Sequence, residues 1–237
     1  LSEELQRHLE TGADVTVVCT ESVPDGPHQR YVTDKDGFVK ELLYRQTGPG
    51  RGLASLEIYV MSRATLIGLM ERASSGLKYK FHRDAIAGIL NDGGSMALFF
   101  NPTAATHIYT VEGYYHASMD MLSPKAREEL FPPDRPVRTR GRSDVSTYYG
   151  EEAVSTNSLV ADGCFLEGSV ENCVVFRGVR VARGAAVRDC ILMQDTAVEE
   201  GAQLRCVIAD KNVRVSPYLT LAGSPRFPLV LPKGSRL

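Results

Sequence analysis

Five histidines, at 8, 28, 82, 107 and 116, and five cysteines, at 19, 164, 173, 190 and 206, are the side chains of this chain best suited to metal or nucleophilic chemistry. Their spacing does not organise them. No cysteine pair shows the C-x-x-C spacing of a zinc or redox site. Residues 151–237 hold no histidine, which excludes a three-histidine zinc site or a histidine general base there. No Ser/His/Asp or Cys/His triad has support. Thr47-Gly48-Pro49-Gly50-Arg51-Gly52 is glycine-rich, but it lacks a G-K-[ST] ending and a proline interrupts it, so it reads as a loop rather than a phosphate cradle. Arg135, Arg138, Arg140 and Arg142 crowd into one short stretch. They read either as a solvated charged loop or as an anion site for a phosphorylated effector.

The elements that must position these residues belong to an ordinary globular composition. Of 237 residues, 43% are hydrophobic and 24% charged. Lys plus Arg number 27 against 29 Asp plus Glu, a net charge of −2. That balance gives no global electrostatic case for nucleic acid or an anionic membrane. No apolar stretch approaches the roughly 18 residues a membrane helix needs. With an odd cysteine count and no visible signal peptide, a reducing cytoplasm is the expected location. The chain starts at Leu1 rather than Met, as a fragment would.

Two halves follow different patterns. Residues 1–130 read as mixed α/β. A short helix opens the chain. Strands are expected at Asp14–Cys19, Gln29–Thr33, Phe38–Arg45, Leu53–Met61 and Met96–Phe100, and helices at Arg63–Ala73, Asp84–Leu90 and Val111–Leu122. Alternating strands and helices predict a layered, Rossmann-like α/β domain. Residues 131–150 open with Phe131-Pro132-Pro133-Asp134-Arg135-Pro136, which suits neither a helix interior nor a central strand. They read as a linker, rich in proline and arginine.

From about 151 to 237 the chain repeats itself. Val170, Val187 and Leu204 are 17 residues apart, as are Val181, Val198 and Val215. Inside each repeat runs a period of six, through Val175, Val181, Val187 and Met193. Six-residue units, each a short strand and a corner, close a triangular coil in which one phase points to the axis. A parallel β-helix follows. Val175, Val181 and Val187 are expected at successive corners, with their 17-residue equivalents stacked on them. Gly163, Gly178, Asp195 and Asn212 are expected at turns that need φ > 0 or a side chain bonding its own backbone. Cys173 and Cys190 are equivalent inward positions, with Cys206 slipped by one, so all three read as small core hydrophobes.

Six segments carry a resemblance to a known family. Asn157-Ser158-Leu159-Val160-Ala161-Asp162-Gly163-Cys164, Val175-Phe176-Arg177-Gly178-Val179, Ile208-Ala209-Asp210-Lys211-Asn212-Val213 and Pro232-Lys233-Gly234 resemble the C-terminal β-helix of bacterial glucose-1-phosphate adenylyltransferase (ADP-glucose pyrophosphorylase). Gly113-Tyr114-Tyr115-His116-Ala117-Ser118-Met119-Asp120-Met121-Leu122 resembles the helix that family places before its linker. Ala54-Ser55-Leu56-Glu57-Ile58-Tyr59-Val60 resembles its sugar-side strand. The similarity runs over essentially the whole chain, and within the family it is to the GlgD-type subunit, the partner of the catalytic subunit in glycogen synthesis. The resemblance implies the C-terminal part of a nucleotidyltransferase domain followed by a left-handed β-helix of hexapeptide repeats.

The family's reaction joins ATP and glucose 1-phosphate into ADP-glucose and pyrophosphate, with Mg²⁺ and cationic side chains neutralising charge. Several positions depart from the catalytic pattern. The N-terminal G-x-G-[ST]-R nucleotide loop is not in the sequence, as if the chain began downstream of it. The lysine that grips the sugar phosphate becomes Arg45, a cation of different geometry. Ser55, Tyr59 and Phe81 match sugar-site positions, but Glu57 stands where catalytic members have glycine and Lys80 where they have aspartate. The metal-binding aspartate falls on His107, and Mg²⁺ prefers hard oxygen ligands.

The resemblance thus implies a regulatory, weakly active or inactive subunit without a metal of its own. Such a subunit would pair with a catalytic homologue in a hetero-oligomer and bind a sugar phosphate or phosphorylated effector. Two other readings stay open. One is an active nucleotidyltransferase whose loop lies outside this sequence, and the other is a β-helix scaffold with no metabolite site.

Overall fold

The computed structural model describes residues 2–21, 28–46, 50–75, 81–102, 105, 108–133, 136–139, 141 and 144–237. The chain divides into two compact units, Leu1–His107 and Ile108–Leu237. Among the described residues no helix is long and apolar enough to cross a membrane.

The first unit is built on a five-stranded sheet. In chain order its elements are helix α1 (Ser2–Thr11), strands β1 (Val15–Thr20), β2 (His28–Thr33), β3 (Val39–Gln46) and β4 (Leu53–Met61), helix α2 (Arg63–Ser75), a π-helical turn (Phe81–Ala85), helix α3 (Ile86–Asn91) and strand β5 (Met96–Phe100). The sheet order is β3-β2-β4-β1-β5. Only β1 and β5 run parallel. β1 is β-branched for most of its length and every residue is buried, as a strand covered on both faces must be. On one face Val15, Val17, Cys19, Tyr31, Met96 and Leu98 pack with Leu69 of α2 and with Ile86 and Ile89 of α3. The other face carries Thr16, whose hydroxyl lies 2.9 Å from His8 Nδ1 on α1.

Local signals end and begin these elements. The Ser62 hydroxyl accepts from the Thr65 amide at 3.0 Å and caps α2. Gly93, at φ 78, follows the end of α3, where a left-handed residue stops the helix. Where the sequence suggested one helix from Asp84, a π-helical turn precedes a shorter α3. The Asp34 carboxylate accepts from the amides of Asp36 and Phe38 at 3.0 and 2.9 Å and closes the β2–β3 hairpin.

The second unit is the parallel β-helix. Its three sides are parallel sheets, each with five strands. The first side holds Val154–Thr156, Ser169–Glu171, Ala186–Arg188, Gln203–Arg205 and Thr220–Ala222. The second holds Leu159–Val160, Val174–Val175, Ile191–Leu192, Val207–Ala209 and Leu229–Leu231. The third holds Tyr148–Tyr149, Phe165–Leu166, Arg180–Val181, Ala197–Val198 and Arg214–Val215. Val170 pairs with Val187 and Val187 with Leu204, the expected 17-residue step. Val181, Val198 and Val215 stack likewise. The first coil steps by 15, from Val154 to Ser169, and the last by 22, from Ile208 to Val230.

Val175, Val181 and Val187 do not form corners. They face inward from three successive sides and are buried in the axial core. The corners are the left-handed residues. Gly163, Gly178, Asp195 and Asn212 form one such column, at φ 76, 71, 59 and 59. Two further columns run through Asn157, Asn172, Asp189 and Cys206, and through Gly184, Gly201 and Tyr218, all at positive φ.

Two boundaries differ from the sequence reading. Helices α4 (Val111–Asp120) and α5 (Pro124–Leu130) belong to the second unit rather than to a first domain reaching 130. The cause is apolar burial, since Tyr115 of α4 packs on Ile191 and Ile208 of the second side. Its hydroxyl donates to the Asp189 carbonyl at 2.8 Å. The β-helix also begins before 151. Tyr148 and Tyr149 pair with Phe165 and Leu166, and Gly163 N donates to Val145 O at 2.7 Å, so the end of the expected linker is the first coil.

Candidate functional site

The sugar-side residues gather on the α2/α3 face of the first sheet. Tyr59 and Phe81 meet edge to face, with ring centroids 6.2 Å apart at 76°. The Tyr59 and Tyr31 hydroxyls are 3.4 Å apart. Ser55 is almost fully buried, and its hydroxyl lies against both phenols. Burial pushes the pKa of Tyr31 and of Tyr59 up, while Ser55 pulls each back. Both phenols are therefore neutral donors at ordinary pH. Tyr31 was missed in the sequence because its partner is 28 residues away, brought close only by sheet register.

Two β-bulges shape this region. Val18 pairs with Ile58 but Cys19 with Ser55, so Leu56 and Glu57 are extra residues on β4. Glu57 has φ 56, and its amide donates to Ser55 Oγ at 3.0 Å. A left-handed backbone accounts for the glycine that the resemblance places there in catalytic members. This chain accepts the strain and gains a carboxylate. The second bulge lies between β2 and β3, where His28 pairs with Gln46 but Arg30 with Leu43. Arg45 sits in it at φ 50 and is exposed. Among the described residues, no polar contact ties Arg45 to the hydroxyl cluster. The structure thus brings Ser55, Tyr59 and Phe81 together and leaves Arg45 at the edge.

β2 enters this cluster with a polar run, His28-Gln29-Arg30, all three buried. Arg30 spends its guanidinium on backbone carbonyls. It donates to Gly52 O at 2.7 and 3.1 Å, to Arg51 O at 3.2 Å and to Glu21 O at 3.3 Å. These bonds pin the loop end that leads into β4.

Arg138 is exposed, whereas Arg135, Arg140 and Arg142 lie outside the described residues, as do Lys80 and His107. Among the described residues no group of three or more His, Cys, Asp or Glu side chains is placed to hold a metal ion. The β-helix cysteines are free and buried. Its third side bears a shallow depression of about 360 Å³ lined by Phe165, Glu167, Arg180, Ala197, Glu199 and Arg214. Phe165 stacks on Tyr148 at 4.4 Å, and Arg180 lies 5.6 Å over the same ring.

A partial α/β unit followed in the chain by a β-helix of hexapeptide repeats is the architecture that the resemblance implies. Known proteins agree. A family described as "GlmU-like, C-terminal hexapeptide" matches residues 144–224. The glycogen biosynthesis protein GlgD of Bacillus subtilis is 35% identical over 234 residues, covering 97% of this chain and 57% of that protein. The glucose-1-phosphate adenylyltransferase of Acetivibrio thermocellus is 29% identical, covering 90% and 53%. That of Deinococcus radiodurans is 29% identical, covering 92% and 59%. Over nearly its whole length the chain is similar to glucose-1-phosphate adenylyltransferases and to GlgD, and it spans little more than half the length of these relatives.

Proposed function

We propose that this chain acts in glycogen synthesis as a regulatory, non-catalytic subunit that pairs with a catalytic glucose-1-phosphate adenylyltransferase. One observation carries the reading. The hydroxyl cluster of Tyr31, Ser55 and Tyr59 is assembled, while Glu57 in the adjoining bulge is a carboxylate. A negative side chain beside a sugar-phosphate position opposes a phosphate's charge, and transferring a nucleotide needs that charge neutralised. In sequence, Arg45 and His107 stand where the resemblance places the sugar-phosphate lysine and the metal carboxylate, which supports the same reading. The Mg²⁺ would belong to the catalytic partner. The 35% identity to a protein named for glycogen biosynthesis supports the pathway.

The test is an activity assay on the purified chain, on a catalytic homologue, and on the two together. The chain alone yields no ADP-glucose under saturating ATP, Mg²⁺ and glucose 1-phosphate. The pair co-purifies and responds to effectors differently from the homologue alone. Robust turnover by the chain free of any partner overturns the reading.

A further inference from the structure

On the cluster face, among the described residues, the polar atoms of Gln29 are idle. Its side chain is 6% exposed. Among the described residues, neither Oε1 nor Nε2 has a hydrogen-bond partner. A buried amide left wholly unpaired is rare and costly, so such a group calls for an occupant that is not protein. Its position says where that occupant sits. Arg30 pairs with Ala54 and Tyr31 with Leu53. Continuing that register by one residue sets Gln29 opposite Ser55. Alternation along β2 puts Gln29 on the same face as Tyr31, which packs into the core with Cys19 and Tyr59. Gln29, Tyr31, Ser55 and Tyr59 therefore share one face of the sheet.

The idle atoms also state what chemistry fits. A carboxamide offers two N–H donors and one carbonyl acceptor. A phosphate oxygen accepts only and leaves Oε1 unpaired. A sugar hydroxyl both donates and accepts, as do its neighbours around the ring, so adjacent hydroxyls satisfy both ends of the amide at once. We propose that Gln29 is a specificity-determining residue that reads the hydroxyl groups of a sugar ring bound against Tyr31, Ser55 and Tyr59. This rests on the reading that the assembled hydroxyl cluster of Tyr31, Ser55 and Tyr59 still takes a sugar.

Binding is measured by calorimetry on the full 237-residue chain, with glucose 1-phosphate, glucose and inorganic phosphate as probes. Glucose 1-phosphate and glucose are expected to bind, and phosphate to bind at least about tenfold more weakly, one tenfold step being 1.4 kcal/mol. Gln29→Leu is expected to lose about tenfold in sugar affinity while its unliganded melting temperature stays level or rises, because the idle amide is gone. Equal binding by wild type and Gln29→Leu overturns the role of Gln29 and leaves the sugar site standing, with ordered water as the amide's partner. No sugar binding by the wild type overturns both. A deoxy-glucose series with the wild-type chain needs no variant to fold. Loss concentrated at one or two adjacent hydroxyls supports the proposal, and uniform affinity across the series overturns it.

Discussion

Cys206 stands one coil beyond Asp189 in the same corner column and takes the same left-handed backbone, φ 50 beside φ 53. The equivalent of Cys190 is therefore not Cys206 but Val207, since Ile191 pairs with Ile208. A thiol at positive φ is uncommon. Here it is nearly fully buried, beneath a helix whose Tyr115 bonds the Asp189 carbonyl.

This relationship yields a paired test. Cys190→Val puts into one coil what Val207 already is in the next, and it should cost less than about 1.5 kcal/mol. Cys206→Val forces a β-branched side chain into the left-handed region and should cost about 1–3 kcal/mol. Thermal melts of the two variants decide. A larger loss for Cys190→Val contradicts the corner assignment.

Tyr115 joins α4 to the β-helix by packing and by one hydrogen bond. Tyr115→Phe removes only the bond and should cost about 1 kcal/mol. Tyr115→Ala also empties the space over Ile191 and Ile208 and should cost about 3–5 kcal/mol. Denaturant midpoints separate the two. Equal losses would mean that the ring contributes nothing.

Gly168 has no room for a side chain. A Cβ there would meet the backbone oxygens of Ala185 and Ala182 at 2.4 and 2.6 Å. Backbone cannot swing aside, so Gly168→Ala should destabilise the second unit by about 1–3 kcal/mol or more. Gly234→Ala is the control. It sits at φ 75 with nothing within 4 Å, so only the left-handed strain is added, about 1 kcal/mol. Melting curves that rank these two in reverse would overturn the packing argument.

Asp14 Oδ2 accepts from the Ser95 amide at 2.8 Å and from the Ser95 hydroxyl at 2.9 Å, tying the start of β1 to the start of β5. These bonds hold its carboxyl below the ordinary value. A depressed folded pKa stabilises the fold above the unfolded value, about 3.9, and that stability is lost as pH falls through the folded pKa. Because Asp14 is exposed, the effect is screened. Asp14→Ala should cost about 1 kcal/mol or less at pH 7, and the gap should close in strongly acidic buffer. A constant gap across pH would mean that the charge is not involved.

The last coil is closed by the tail. Leu229–Leu231 pairs with Val207–Ala209, Leu231 is buried in the axial core, and Arg236 bridges to Arg214. Deleting residues 225–237 exposes that strand edge and should promote aggregation, since an unpaired edge recruits other chains. Light scattering checks it, and a truncation as soluble as its parent would show the tail is dispensable.

The β-helix core was legible because the axis demands apolar side chains at a fixed step, and Val170, Val187 and Leu204 keep it. Its beginning was not. Tyr148 and Tyr149 form an end strand and are both exposed, and the residue in register with the inward Leu166 is a tyrosine rather than a compact aliphatic, while the prolines after Leu130 punctuate strongly enough to suggest a linker. Ser55, Tyr59 and Phe81 came from the resemblance, and the sheet does bring them together. Tyr31 and Gln29 needed strand register, which depends on two bulges that no local pattern marks. The resemblance singles out Arg45 and Glu57 by position, but the bulges and the left-handed backbone they take are visible only in the structure.

The unequal coils, stepping by 15, 17 and 22 residues over one triangular cross-section, bear on how such a chain can change over generations. Each step adds one strand spacing, about 4.8 Å, to the length of the column. An in-frame duplication of one coil's worth of codons would therefore extend the column by that increment and keep every inward contact type. Surplus codons inserted within a coil would leave as a loop at a bend, as residues 223–228 do between Ala222 and Leu229. Length and loop content of this half are thus heritable quantities that can drift separately, while the residues lining the axis stay under constraint.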